Sequence, residues 1–258
     1  MHFLMIELLL LPISLIVSIV SSMVGLGGGV FYVPILTLVF GLPMRKAIGL
    51  SVLTMTFTTI TATIVYVKQK RINYKIGLLL DALDIPGAMI GAYLTSILKS
   101  KILAVLFGIM LLVIAVKMLE KRSNSAGISE KTYEMSTKVI FITLTASFLS
   151  GLVAGLLGAG GGTIDESTMI LALNMPVLIA SATSIFAMTI TNTVATTTHI
   201  ILGNIIVKYA IPLVIGSIIG ARIGPNISKM CGEENLRKIL GVVFIVIAIR
   251  MIITPLIP

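Results

Sequence analysis

Two glycine-rich breaks, Gly25-Leu26-Gly27-Gly28-Gly29 and Gly158-Ala159-Gly160-Gly161-Gly162, interrupt a chain otherwise made of long apolar runs, and they stand 133 positions apart. Glycine has no Cβ, so such a run leaves helical geometry at little steric cost. Inside a bilayer that departure strands backbone N–H and C=O groups where no water can bond them. It is tolerated only where protein encloses the break or a polar cavity reaches it. Paired breaks in corresponding halves of a chain point to the binding site of a transporter.

The surroundings of the breaks make this constraint binding. Hydrophobic residues form 57% of the chain and charged residues only 11%, too little polar surface for a soluble domain of 258 residues. The chain is expected to be an all-α integral membrane protein, multi-pass in the cell membrane, with the lipid bilayer as its main partner. Its net charge of +9 sits in the connections between apolar runs, where cations set topology, so nucleic acid is not an expected partner. Cys231 is the only cysteine and there are two histidines, which excludes an internal disulfide and offers no metal site. No cofactor is expected. Residues 3–24 lack a basic n-region and a small-residue cleavage site, and the second half repeats them, so they are read as retained.

Five apolar segments are predicted in the first half, at 3–24, 30–40, 47–67, 74–98 and 101–119. Five more follow at 137–157, 163–173, 178–202, 205–227 and 236–256. The halves align at an offset of 133, pairing Ser14 with Ser147, Pro43 with Pro176, Ser51 with Ser184 and Thr58 with Thr191. In the fourth segment the offset becomes 129, where Gly87 and Gly91 meet Gly216 and Gly220. This density of matched glycine, proline and hydroxyl residues indicates duplication: a first membrane repeat at 1–119, a polar linker at 120–136 and a second repeat at 137–258.

Orientation turns on the eleven-residue second segment, which covers only about half the hydrocarbon core. If it crosses, each half has five passes and the repeats are inverted. If it re-enters and returns, each half has four and they are parallel. Five passes put thirteen of the 19 basic residues on one side, four passes only eleven. The positive-inside rule therefore favours inverted repeats, with both termini outside and the central loop in the cytoplasm.

The run Gly25-x-Gly27-Gly28-Gly29, followed by a short apolar helix and Pro43 and repeated from Gly158 to Pro176, resembles the TauE/SafE family of sulfite and organosulfonate exporters. The resemblance spans essentially the whole chain. It implies a secondary transporter that exports a small sulfur-containing anion by alternating access at the interface of two repeats. Physically, the helices that begin near Gly29 and Gly162 present unpaired N–H groups and a positive dipole end, both of which favour an anion. Gly25, Gly27, Gly28, Gly29, Gly158, Gly160, Gly161 and Gly162 are thus candidate substrate-binding residues. The competing reading is close helix packing, for which small residues are the usual material in membranes.

Hydroxyls crowd the third segment of each half. Many threonines there can return their hydroxyl to the preceding turn. Ser51, Thr58, Ser184, Thr191 and Asn192 are the candidates for ligand-facing polar groups. The second copy also departs from the first by carrying Thr163-Ile164-Asp165-Glu166 where the first has Val30-Phe31-Tyr32-Val33. Intramembrane carboxylates are functional candidates, and Asp165 and Glu166 are read either as proton carriers or, for Thr163 with Glu166, as a capping box. Asp81 and Asp84, three apart on one helical face, align with apolar Ala210 and Leu213. They carry protons or pair with nearby Lys75. Arg222 either attracts the anion or snorkels, and His199, aligned with Tyr66, reads as an interfacial helix-end residue.

Two other classes compete. A hydrolase needs a nucleophile beside a base, but Ser184 and His199 lie about 22 Å apart along one helix. A membrane scaffold or partner-binding protein is the remaining alternative, and a homo-oligomer is compatible with any of these readings.

Overall fold

The computed structural model describes residues 2–119, 137–227 and 233–254, and every predicted apolar segment is a helix. The first half runs α1 (His2–Val24), α2 (Gly29–Pro34) with its π-helical continuation Ile35–Val39, α3 (Met44–Lys68), α4 (Tyr74–Ile97) and α5 (Ser100–Leu119). The second runs α6 (Thr137–Leu157), α7 (Gly162–Leu171), α8 (Val177–Ile201), α9 (Val207–Ile227) and α10 (Glu233–Ile253). Six helices among the described residues are long and apolar enough to cross a membrane. The linker 120–136, expected to be polar and cytoplasmic, lies outside the described residues.

The helix ends repeat across the halves by different residues doing the same work. The stretch after α2 closes with the Leu42 amide donating to the Leu36 carbonyl over 2.9 Å, and α7 closes with Met175 donating to Met169 over 3.0 Å. Each turn needs a left-handed residue one position earlier, supplied by Gly41 (φ 65°) and by Asn174 (φ 50°). Pro43 and Pro176 then open α3 and α8 with nearly equal ψ, 138° and 136°. The α2 helix differs from α7 because Pro34 has no N–H to donate, and the chain from Ile35 widens into π geometry.

The sequence halves interleave. The α4 helix packs along α6 and α8 of the other half, and reciprocally α9 packs along α1 and α3. The α3 and α8 helices meet at the centre, while α5 pairs with α10. Small residues permit the closest crossings: a Cβ on Gly151 of α6 would lie 2.0 Å from the Asp84 carbonyl oxygen of α4, and one on Gly220 of α9 would lie 2.3 Å from the Leu15 carbonyl of α1. Threonines stitch α3 to α8 in the same exchanged sense, Thr56 to Thr196 at 2.8 Å and Thr63 to Thr189 at 2.9 Å. Outward faces are apolar, as at Ile109, Val113 and Val116 of α5, which suits them to lipid. Buried polar residues gather inside, against the breaks.

Candidate functional site

The two breaks pack against each other at the centre of the molecule. Gly25, Gly27, Gly28, Gly158 and Gly160 all have positive φ, between 65° and 107°, a region that L side chains rarely enter. A Cβ on Gly29 would lie 2.1 Å from the Gly158 carbonyl oxygen, and one on Gly162 would lie 3.0 Å from the Gly25 carbonyl oxygen. Gly25 and Gly158 occupy equivalent positions, as do Gly29 and Gly162, so each helix start faces the opening carbonyl of the opposite break. The amides of Gly27, Gly28 and Gly29, and of Gly160, Gly161 and Gly162, meet no acceptor among the described residues.

Two methionines fill the space where Cβ atoms on these glycines would stand. A Cβ on Gly27 would lie 2.4 Å from Cε of Met188 and 3.6 Å from Sδ of Met55; on Gly160 the same atoms would stand at 2.6 Å and 3.4 Å. Met55 further abuts Gly29, and Met188 abuts Gly162. Ser51 donates to the Gly158 carbonyl at 2.6 Å and Ser184 to the Gly162 carbonyl at 3.0 Å, so both hydroxyls brace the breaks. Thr58 returns its hydroxyl to Thr54, 3.0 Å away. Asn192 is fully buried, and neither its amide nitrogen nor its oxygen has a partner among the described residues.

Beside the breaks lies a carboxyl cluster drawn from separate helices. Thr191 of α8 donates to Asp81 at 2.9 Å and reaches Asp84 at 3.5 Å. Ser150 of α6 donates to Asp165 at 2.8 Å, and the next residue, Gly151, packs against the backbone of Asp84, so α6 brings Asp84 and Asp165 to the same place. Asp81, Asp84 and Asp165 are each at most 3% exposed, and each keeps one oxygen without a partner. The cluster exists on one side only. At the equivalent place in the other half Tyr32 replaces Asp165, its hydroxyl bonded to Ser18 at 2.6 Å and Ser14 at 3.0 Å, with apolar Ala210 and Leu213 in place of the two α4 aspartates. Among the described residues no group of three or more His, Cys, Asp or Glu side chains could hold a metal ion.

Two expectations are corrected. Thr163 and Glu166 form no capping box, because α7 begins at Gly162 with Gly161 as its N-cap and no side-chain cap bond; Thr163 is therefore inside the first turn, and Glu166 instead accepts from Ser181. Asp81 and Asp84 do not pair with Lys75, which is exposed while both carboxyls are buried. His199 stands in the last turn of α8, where a helix-end residue was expected, and is fully buried there by protein, with Nε2 against the Gly155 carbonyl at 3.0 Å and Nδ1 against the Asn204 amide at 3.1 Å. Its aligned partner Tyr66 makes the equivalent bond to the Ser22 carbonyl at 2.9 Å. Arg222 is exposed near the end of α9.

A family model described as Sulfite exporter TauE/SafE matches residues 10–251. The chain belongs to the TauE/SafE family. Among its relatives, the probable membrane transporter protein YunE of Bacillus subtilis is 30% identical over 95% of this chain and 96% of its own length. A probable membrane transporter protein of Methanocaldococcus jannaschii is 26% identical over 98% of this chain and 97% of its own. The sulfite exporter TauE/SafE family protein 3 of Arabidopsis thaliana is 32% identical over 41% of this chain and 21% of its own. No solved structure matches the chain.

As a TauE/SafE protein the chain is a multi-pass membrane transporter and not an enzyme. Motif reading of this TauE/SafE sequence located the breaks but passed over Met55 and Met188, since methionine is ordinary in an apolar helix. The signal was there in their spacing of 133, the same as that of the breaks. Ser150 was missed because its equivalent is Val17, so no repeat match marks it.

Proposed function

We propose that this transporter exports a small sulfur-containing anion, sulfite or an organosulfonate, across the plasma membrane by alternating access. The observation that carries the reading is the meeting of two glycine breaks whose six amides have no acceptor among the described residues. Unpaired buried donors are costly, and an anion that accepts several of them offsets that cost. The α7 helix adds its positive end to the same place. The family match and the printed name of the Arabidopsis relative favour sulfite as the type of cargo.

The moving bodies follow from the interleaved packing. In this reading α4 travels with α6, α7 and α8, and α9 travels with α1, α2 and α3, as two inverted repeats that have exchanged one helix each. The residues 1–119 and 137–258 are then repeats in sequence but not separate bodies in space. Coupling falls to Asp81, Asp84 and Asp165, buried carboxyls that Thr191 and Ser150 hold beside the breaks; Glu166 accepts instead from Ser181. Thr191 links the coupling group to α8, and Asn192 beside it offers an unpaired amide to the passing ligand.

The test is flux. Purified protein in liposomes loaded with sulfite, methanesulfonate, thiosulfate or sulfate is expected to show saturable anion movement under imposed pH and voltage gradients. Absence of saturable flux for every anion of the panel would overturn the reading.

A further inference from the structure

We infer that Met55 and Met188 are substrate-contacting residues: their two thioethers close over the paired breaks, and when an anion enters they pack against its apolar or polarisable face. The inference rests on the anion site proposed above and names what selects the cargo. Its ground is a reciprocal geometry that ordinary gap-filling does not require. Met55 stands where a Cβ on Gly27, Gly29 or Gly160 would point, and Met188 where one on Gly160, Gly162 or Gly27 would. Each methionine thus covers its own break and reaches the other, and the two stand at the same position of the repeated frame. Both are at most 2% exposed.

The chemistry follows from what a thioether lacks. It has no hydrogen to donate and is only a weak acceptor, so it is a poor partner for the amides of the breaks it packs on, and those donors stay available to any better acceptor that displaces it. Methionine has three rotatable bonds and a polarisable sulfur, so it can withdraw without moving a helix. An anion bound with oxygens on the amides then meets thioether on its remaining side. The methyl group of methanesulfonate or the lone-pair side of sulfite fits that wall. Sulfate, with oxygen on every side, must turn one charged oxygen toward a surface with no donor, which is costly in a site shielded from water. Met55 and Met188 accordingly favour anions with one face free of oxygen.

The test compares methanesulfonate and sulfate flux in phosphatidylethanolamine–phosphatidylglycerol liposomes. Met55→Ala and Met188→Ala are each expected to lower the methanesulfonate-to-sulfate ratio of kcat/KM at least tenfold, and Met188→Leu to lower it less. A purely structural role would reduce both fluxes together and leave the ratio unchanged, and that result overturns the inference. Labelling gives an independent readout where an alanine variant folds poorly. In a Cys231→Ser background, the thiol of Met188→Cys should react with 2-sulfonatoethyl methanethiosulfonate, and methanesulfonate should slow the reaction more than sulfate does. A thiol that stays unreactive while flux persists refutes the movable cover but leaves the exporter standing. If the thiol reacts but neither anion protects it and the unaltered protein moves neither, the anion site itself fails.

Discussion

The Thr191 hydroxyl donates to the Asp81 carboxyl across 2.9 Å, tying the central helix α8 to α4 within the same bundle that carries Asp165. Thr191 is the donor shown for Asp81, whose other oxygen has no partner among the described residues. Thr191→Val keeps the shape and removes that donor. Hydrogen bonds to charged groups contribute roughly 1.5–3 kcal/mol, about a tenfold effect or more on an equilibrium. Anion accumulation driven by a pH gradient should fall by about that factor, whereas Thr191→Ser should retain most of it. Equal accumulation in Thr191→Val and the unaltered protein would remove Thr191 from the coupling group.

The grouping of Asp84 and Asp165 around Ser150 and Gly151 of α6 sets a second expectation. Asp84→Asn and Asp165→Asn each leave an amide that can fill the same space but cannot release a proton. Both variants should lose pH-driven accumulation by tenfold or more and still exchange labelled anion for unlabelled anion across the membrane. Glu166→Gln, whose carboxyl accepts from Ser181 rather than from Ser150 or Thr191, should change accumulation by less than about threefold. Measured pH dependence of uptake in all three variants checks the assignment, and a Glu166→Gln defect equal to the others would place coupling elsewhere.

Packing between α4 and α6 leaves no space at Gly151, where a Cβ would sit 2.0 Å from a backbone carbonyl oxygen. Backbone cannot rotate aside as a side chain can, so Gly151→Ala must push the helices apart. Overpacking of this kind costs typically 1–3 kcal/mol and occasionally more, and the upper end is expected here. Gly41 is the contrast, since a Cβ there meets nothing within 4 Å but its φ is 65°; Gly41→Ala should lose only the left-handed penalty, about 1–2 kcal/mol. Thermal unfolding in detergent would show the larger drop for Gly151→Ala.

Much of this architecture is legible in the residues. Ten α-helices among the described residues follow from ten apolar runs, since the bilayer demands continuous hydrocarbon and the glycines and prolines mark many of the stops. The breaks were legible because four glycines within five positions, repeated 133 residues on, stop a helix where the bilayer otherwise demands paired backbone. Helix exchange was not, because the pairing of α4 with α6 and of α9 with α1 depends on small residues such as Gly151 and Gly220 that also occur at any tight crossing. Nor were the bonds of Asp165 and Glu166 legible, since spacing alone suggested a cap, and only the start of α7 at Gly162 shows that Thr163 is too far along to serve as one. The equivalence of Gly41 with Asn174 was visible as an alignment but not as a shared left-handed turn.

The aligned pair Tyr66 and His199 yields the last expectation. Each side chain spans from the end of a central helix to a carbonyl of the first helix in its own half, Tyr66 to Ser22 and His199 to Gly155. Tyr66→Phe removes one donor from a buried carbonyl, at a cost of about 1 kcal/mol. His199→Phe should cost more, because the imidazole also meets Asn204, and the buried amide of Asn204 would lose that partner as well, for a total of about 2–3 kcal/mol. His199→Gln keeps one donor and one acceptor and should recover part of that loss. Unfolding temperatures in the order unaltered, Tyr66→Phe, His199→Phe, with His199→Gln above His199→Phe, would establish both residues as braces of the helices that carry the breaks. A normal unfolding temperature in His199→Phe combined with lost transport would instead make the imidazole part of the transport path.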